Sequence, residues 1–121
     1  MPVACWLLPF SQMKTIKLKV ALQRLRKLND EIRYHNFFNE KTFTSGVITF
    51  RSRRGVDPKQ INHNDKDVVC EVIKGRGRLR AGDKRIPLVR GTICHIPKGV
   101  SHDFTAEKRE LVLFYSLIET K

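Results

Sequence analysis

The segment from Gly91 to His102 constrains the fold of this chain most, because it is a short strand and a turn punctuated by glycine and proline. Thr92 to Ile96 suits a strand, and Pro97 cannot continue a hydrogen-bonded ladder. Gly99 can take the positive φ that other residues avoid. The pattern therefore predicts that His102 lies on the strand that follows the turn.

Further strand-like runs, rich in β-branched and aromatic residues, recur along the chain after residue 41. The predicted strands are Phe43 to Phe50, Asp67 to Lys74, Arg76 to Ala81, Arg85 to Val89, Thr92 to Ile96, Phe104 to Thr105 and Glu110 to Ile118. Gly82 and Asp83 form a hairpin signal between two of them. The last strand is apolar on both faces, so both should be covered. Short strands at nearly regular spacing predict a closed or sandwiched antiparallel sheet.

The turn segment resembles the second signature of the cupin family, which reads Gly, five residues, Pro, one residue, Gly, two residues, His. Gly91, Pro97, Gly99 and His102 occupy every fixed position of that signature. The resemblance extends from about Gly46 to Ile118 and implies an all-β fold. It implies a cupin-type antiparallel β-barrel, a double-stranded β-helix or jelly roll, here with an N-terminal α-helix.

The first cupin signature, His-x-His, three or four residues, Glu, six residues, Gly, is matched only in part. His63 fits its second histidine, whereas Ile61 replaces the first. Val68 or Asp67 stands at the glutamate, according to the spacing. The resemblance implies one divalent transition metal, Mn, Fe, Ni, Cu or Zn, with His63, His102 and Asp67 as candidate ligands. The alternative is a barrel without a metal cofactor.

Alternation along the strand argues against Asp67 as a ligand. Val68 and Cys70 share the apolar face, so Asp67 should point the other way. A pocket lined by His63, Cys70, His102, Val68 and Phe104 is the remaining prediction. The leading hypothesis is therefore a cupin domain of unassigned specificity that binds a small molecule. A metal-dependent dioxygenase or isomerase is the enzymatic alternative.

Net charge supports a third hypothesis from another class of protein. Lys and Arg outnumber Asp and Glu by 24 to 12, which makes the formal charge +12. Arg76, Arg78 and Arg80 share one strand face and could bind a polyanion or nucleic acid, because guanidinium groups bind phosphate oxygens bidentately. Without interleaved aromatic residues, a solvated outer face is the more ordinary interpretation.

The N-terminal part predicts an amphipathic helix from Ile16 to Ile32. Its apolar stripe recurs at three- and four-residue steps, through Leu18, Leu22, Leu25, Leu28 and Ile32. We expect this helix to pack on its own barrel, with a dimer contact as the second option and a membrane role as the least favoured. The expected organisation is an N-terminal extension (1–13), a helix and connection (14–40) and a barrel domain (41–121).

Cysteine content and the N-terminal residues bear on location and assembly. Cys5, Cys70 and Cys94 form no Cys-x-x-Cys pair, which favours a reducing cytoplasm. The opening apolar stretch is interrupted by Pro9 and is too short to span a bilayer, so no membrane association is expected. Translation could begin at Met1 or at Met13. Cupin-like domains commonly pair, which makes a homodimer the expected assembly.

Overall fold

The structure, a computed structural model, describes residues 13–51 and 65–120. These ranges contain one short helix and nine strands. The elements are α1 (Leu18–Gln23), β1 (Arg26–Lys27), β2 (Ile32–Asn39), β3 (Phe43–Arg51), β4 (Lys66–Lys74), β5 (Gly77–Ala81), β6 (Lys84–Leu88), β7 (Ile93–Ile96), β8 (His102–Ala106) and β9 (Glu110–Glu119). Within the described ranges, no helix is long and apolar enough to cross a membrane.

The strands form two antiparallel sheets. The larger has six strands in the order β1-β2-β3-β9-β4-β7, and the smaller has three in the order β6-β5-β8. Residues from both sheets build one buried apolar cluster. The rings of Phe50, on β3, and Phe104, on β8, lie 5.1 Å apart and join the sheets through this core. The predicted all-β fold is confirmed.

Strand alternation follows the predicted pattern in β4 and β9. Val68, Cys70 and Val72 are buried, whereas Glu71 between them is exposed. The apolar strand β9 pairs with β3 on one side and with β4 on the other. Val112, on the outer face, is buried like Leu111 and Leu113 on the inner face, whereas Ile118 near the end of the strand is exposed. Both faces are therefore covered in the first half of β9, and the prediction holds only there.

The predicted helix from Ile16 to Ile32 is wrong beyond residue 23. α1 has six residues, and the chain then forms β1 and enters β2 at Ile32. Asn29 forms the turn between β1 and β2, where its Oδ1 accepts hydrogen bonds from the backbone N–H groups of Glu31 and Ile32, both at 2.8 Å. Such local bonds compete with helix formation and favour a turn. Residues 26–39, predicted as helix and connection, are therefore part of the larger sheet.

The short helix nevertheless packs on its own chain, as predicted. α1 contacts β2 and β3. Ala21, on its inner side, is fully buried, and Val47 on β3 is also fully buried. α1 thus helps to cover the outer face of the larger sheet.

Four glycines among the described residues have a positive φ, and three of them lie in open turns. Gly91 and Gly99 take the positive φ expected of the turn segment, and the space where a Cβ would lie is free of other atoms to 4 Å. Gly75, at the end of β4, differs because a Cβ there would overlap the carbonyl oxygen of Glu110. Gly75 therefore allows the β4–β5 turn to lie against the start of β9.

We expect Gly75→Ala to destabilise the protein by at least about 3 kcal/mol, since it adds a backbone clash to left-handed strain. Gly99→Ala is the matched control, with strain alone and a cost of about 1 kcal/mol. Urea unfolding of the two variants and the parent measures both free energies. Equal losses in the two variants would show that the close approach at Gly75 does not govern stability.

Candidate functional site

A cavity of about 240 Å³ is lined by residues from both sheets. Its described lining residues are Leu28, Tyr34, Asn36, Ile48, Phe50, Val68, Cys70, His102, Phe104, Leu113, Tyr115 and Leu117. Those on the strands of the larger sheet follow the alternation of one face, as i and i+2 residues must. Most of the lining is aliphatic or aromatic. We call this space the barrel cavity.

His102 is the histidine of the barrel cavity and is almost completely buried, with 2% of its surface exposed. Its Nδ1 lies 3.0 Å from the carbonyl oxygen of Val100. A carbonyl can only accept, so Nδ1 carries a proton and donates this hydrogen bond. The ring also meets Phe104 edge to face, with centroids 5.7 Å apart. The turn pattern predicted that His102 lies on the strand after the turn, and the structure confirms this, with His102 as the first residue of β8.

Tyr115 and Asn36 form a polar pair in the same cavity. The Tyr115 hydroxyl donates a hydrogen bond to Oδ1 of Asn36. Burial, with a smaller contribution from Tyr34, raises the pKa of Tyr115 to about 12. Gly46 lies opposite Tyr115 on β3, where a Cβ would crowd the phenol ring. The phenol is therefore uncharged and held in place at neutral pH.

Cys70 contributes a buried thiol to the cavity lining. It lies directly across from Cys94 of β7, and both are free thiols. Burial raises the pKa of Cys70 to about 12, and the neighbouring Cys94 adds to this effect. Burial also raises the pKa of Cys94. Because the thiolate is the form that ligates metals and attacks electrophiles, Cys70 acts here as a small buried hydrophobe.

Asp67 lies away from the barrel cavity, at the start of β4. Its Oδ2 is 3.2 Å from Nε2 of His95, and its Oδ1 accepts a hydrogen bond from the Lys98 backbone N–H at 2.9 Å. The Lys98 bond and then the His95 bond lower the pKa of the Asp67 carboxyl. The structure thus brings Asp67 to His95 and not to His102. This geometry does not support the prediction that Asp67 ligates a metal beside His102.

The described side chains do not fit the divalent metal that the resemblance implies. In residues 13–51 and 65–120, no three His, Cys, Asp or Glu side chains come together in a way that could hold a metal ion. The barrel cavity provides His102 and the protonated thiol of Cys70, with apolar Val68 beside them. His63 and Ile61 lie outside the described residues. His102 and Cys70 alone make a poor site for a first-row metal.

The predicted arginine row is divided among different surroundings. Nε and Nη2 of Arg80 both lie 2.8 Å from Oδ2 of Asp103, a side chain that is 3% exposed. Arg78 lines a pocket of its own together with Glu107. Arg76 precedes β5 and lines a separate cleft. The row therefore does not form one continuous anion-binding surface.

Sequence reasoning missed the cavity residues on β2. Tyr34 and Asn36 lie within the stretch that was predicted as helix and connection, yet both line the barrel cavity. Their spacing of two residues, beside the aromatic pair Phe37 and Phe38, is a strand signal that the leucine periodicity obscured. Asp103 was missed because only the pairing of β5 with β8 places it opposite Arg80.

Sequence comparisons connect the chain with a ligand-binding family. Residues 62–120 match the family model described as the AraC-like ligand binding domain. An uncharacterized protein of Streptomyces coelicolor is 30% identical over 105 residues, which cover 84% of this chain and 95% of that protein.

Solved structures show the same fold. The cupin domain of Cnp3 from Schizosaccharomyces pombe has a TM-score of 0.70 at 13% identity, over 80% of this chain and 69% of that one. An RmlC-like cupin from Shewanella frigidimarina has a TM-score of 0.68 at 13% identity, over 81% and 85% of the two chains. Hydroxypropylphosphonic acid epoxidase from S. wedmorenis has a TM-score of 0.70 at 20% identity, over 78% of this chain and 54% of the enzyme. With its antiparallel sheets and its glycine-proline turn leading to a buried histidine, this chain has the cupin fold, and it belongs to the same family as the Streptomyces coelicolor protein.

Proposed function

We propose that this protein binds a small, uncharged, largely apolar molecule in the barrel cavity. The observation that carries the proposal is the chemistry of the lining, which is mainly aliphatic and aromatic with a few polar groups. Ligand sites of proteins commonly have this composition, with the polar groups fixing the orientation of the ligand. At about 240 Å³, the cavity is smaller than the roughly 300–1,000 Å³ typical of drug-sized ligands.

The polar groups of the cavity favour an uncharged ligand. Cys70 and Tyr115 both have a pKa of about 12 and are neutral at physiological pH. Asn36 carries no charge, and His102 is the one described lining residue that could become a cation. A cationic ligand would therefore find no opposite charge among these side chains, and burying an unpaired charge is costly.

The likeness to the epoxidase provides the enzymatic alternative. That enzyme has been solved with Fe(II). At 20% identity, however, its likeness to this chain shows a shared fold and nothing about metal binding. The described residues do not form a matching set of metal ligands, so this alternative rests on the fold alone. Assembly as a homodimer and a cytoplasmic location also remain predictions.

Three fragments of similar shape can test the charge preference of the cavity: benzyl alcohol, benzoate and benzylamine. We expect benzyl alcohol to shift the NMR resonances of His102 and Tyr115, with the charged analogues binding at least tenfold more weakly. Val68→Phe should abolish these shifts by filling the cavity. Ile93→Phe is the matched control, because Ile93 is 71% exposed and lies outside the lining.

Equal binding of all three fragments, or binding that survives Val68→Phe, would contradict the proposal. Overpacking can cost about 1–3 kcal/mol. Urea unfolding must therefore show that Val68→Phe remains folded under the conditions of the binding experiment.

The neutral cavity also predicts a loss of stability at alkaline pH. The pKa of Cys70 is raised from 9.0 to about 12 in the folded protein, so above pH 9 the unfolded chain releases a proton that the folded chain retains. This contribution is fully present below pH 9 and falls as the pH rises towards 12. Between pH 8 and pH 10.5 we expect the parent to lose roughly 2 kcal/mol more than Cys70→Val. Denaturant unfolding with a phosphine reductant measures this difference, and identical pH profiles would refute it.

Metal analysis distinguishes the binding hypothesis from the enzymatic one. Because the described donors do not fit a divalent metal, we expect tag-free protein to contain far less than one equivalent of Mn, Fe, Ni, Cu or Zn after reconstitution and desalting. His102→Ala serves as the control for binding at the cavity. Near-stoichiometric metal that is lost in His102→Ala would favour a metal-dependent enzyme.

A further inference from the structure

A second concave surface, at the end of β3 and β4, is strongly basic. It has a volume of about 610 Å³, and we call it the basic cleft. Its described lining residues are Arg51, Lys74, Gly75, Arg76, Lys108, Arg109 and Glu110. None of these residues belongs to the described lining of the barrel cavity. The cleft is therefore separate from the proposed ligand site.

Backbone contacts bring these residues together from three parts of the chain. Arg51 is paired with Glu110 in the β3–β9 register. Gly75 lies so close to the Glu110 carbonyl that only glycine fits there. The Glu107 N–H donates to the carbonyl oxygen of Arg76 at 2.9 Å. The position of the cationic side chains around one cleft is thus a consequence of strand pairing and of one tight turn.

Cations in the lining outnumber carboxylates by five to one. The carboxylate, Glu110, has its Oε1 3.9 Å from Nζ of Lys74, whose side chain is 73% exposed. A pair so long and so exposed contributes little. The contrast with Arg80 is clear, since Asp103 binds that guanidinium at 2.8 Å. Neighbouring like charges repel, and a bound anion would relieve that repulsion.

We propose that the basic cleft binds a compact oligophosphate anion. Its three arginines can each bind phosphate oxygens bidentately, while the lysines add point charges. The described lining has no aromatic side chain on which a base could stack, and stacking is a main source of affinity for single-stranded nucleic acid. The concave shape and the charge therefore favour a short chain of phosphates over a nucleic-acid strand.

Titration calorimetry with sodium tripolyphosphate tests this site in the full-length protein. The test variant is Lys108→Glu with Arg109→Glu, and the matched control is Lys84→Glu with Arg85→Glu. Both pairs are exposed and undergo the same change of charge, but the control pair lies on β6 outside the cleft. We expect the cleft variant to weaken binding at least tenfold and the control to weaken it less than threefold. Arg76→Gln, a milder change, should weaken binding about threefold to tenfold.

Three outcomes would overturn the proposal. Equal losses in the cleft and control variants would show that tripolyphosphate responds to net charge alone. Citrate binding as tightly as tripolyphosphate would show that the cleft does not recognise phosphate. Displacement of tripolyphosphate by oligothymidylate at a lower phosphate concentration would identify a nucleic-acid surface instead. Circular dichroism of each variant confirms that these comparisons are made between folded proteins.

Discussion

The pairing of β9 with β3 on one side and β4 on the other is the interaction on which the rest of this structure depends. β9 lies in the interior of the larger sheet, so its backbone is hydrogen-bonded along both edges, and Leu111, Val112 and Leu113 are buried. Leu113 and Tyr115 line the barrel cavity, while Phe114 lines a different pocket together with Leu18 of α1 and Phe37 of β2. Its first residue, Glu110, belongs to the basic cleft. One strand thus connects both candidate sites.

The barrel cavity and the basic cleft differ in charge because the first is shielded from water and the second is exposed to it. Inside the barrel, loss of water raises the pKa of Cys70 and Tyr115, so these two side chains stay neutral. In the basic cleft, water screens the cations and allows five of them to share one surface. A chain with a charge of +12 can therefore contain an uncharged interior cavity. An apolar ligand and a phosphate anion would bind at different places for this reason.

Sequence patterns predicted the fold well from Phe43 onwards and poorly before it. β-Branched residues, turn glycines and the segment from Gly91 to His102 act locally, so their effect on the backbone can be read from the chain. The leucine spacing between Leu18 and Ile32 is also a local signal and suits a helix, but the chain forms β1 after the short helix and then turns at Asn29. Pairing of β2 with β3 then decides in favour of strands.

The sequence by itself determined the all-β architecture, the position of His102 on the strand after the turn, and the inward orientation of Val68 and Cys70, since each follows from local backbone preferences or from strand alternation. Only the tertiary structure decided which side chains meet across different strands. It placed Asn36 beside Tyr115, Asp103 beside Arg80, and Asp67 beside His95. It also gathered the basic cleft from distant segments. Long-range register sets these contacts, and no local pattern in the chain specifies it.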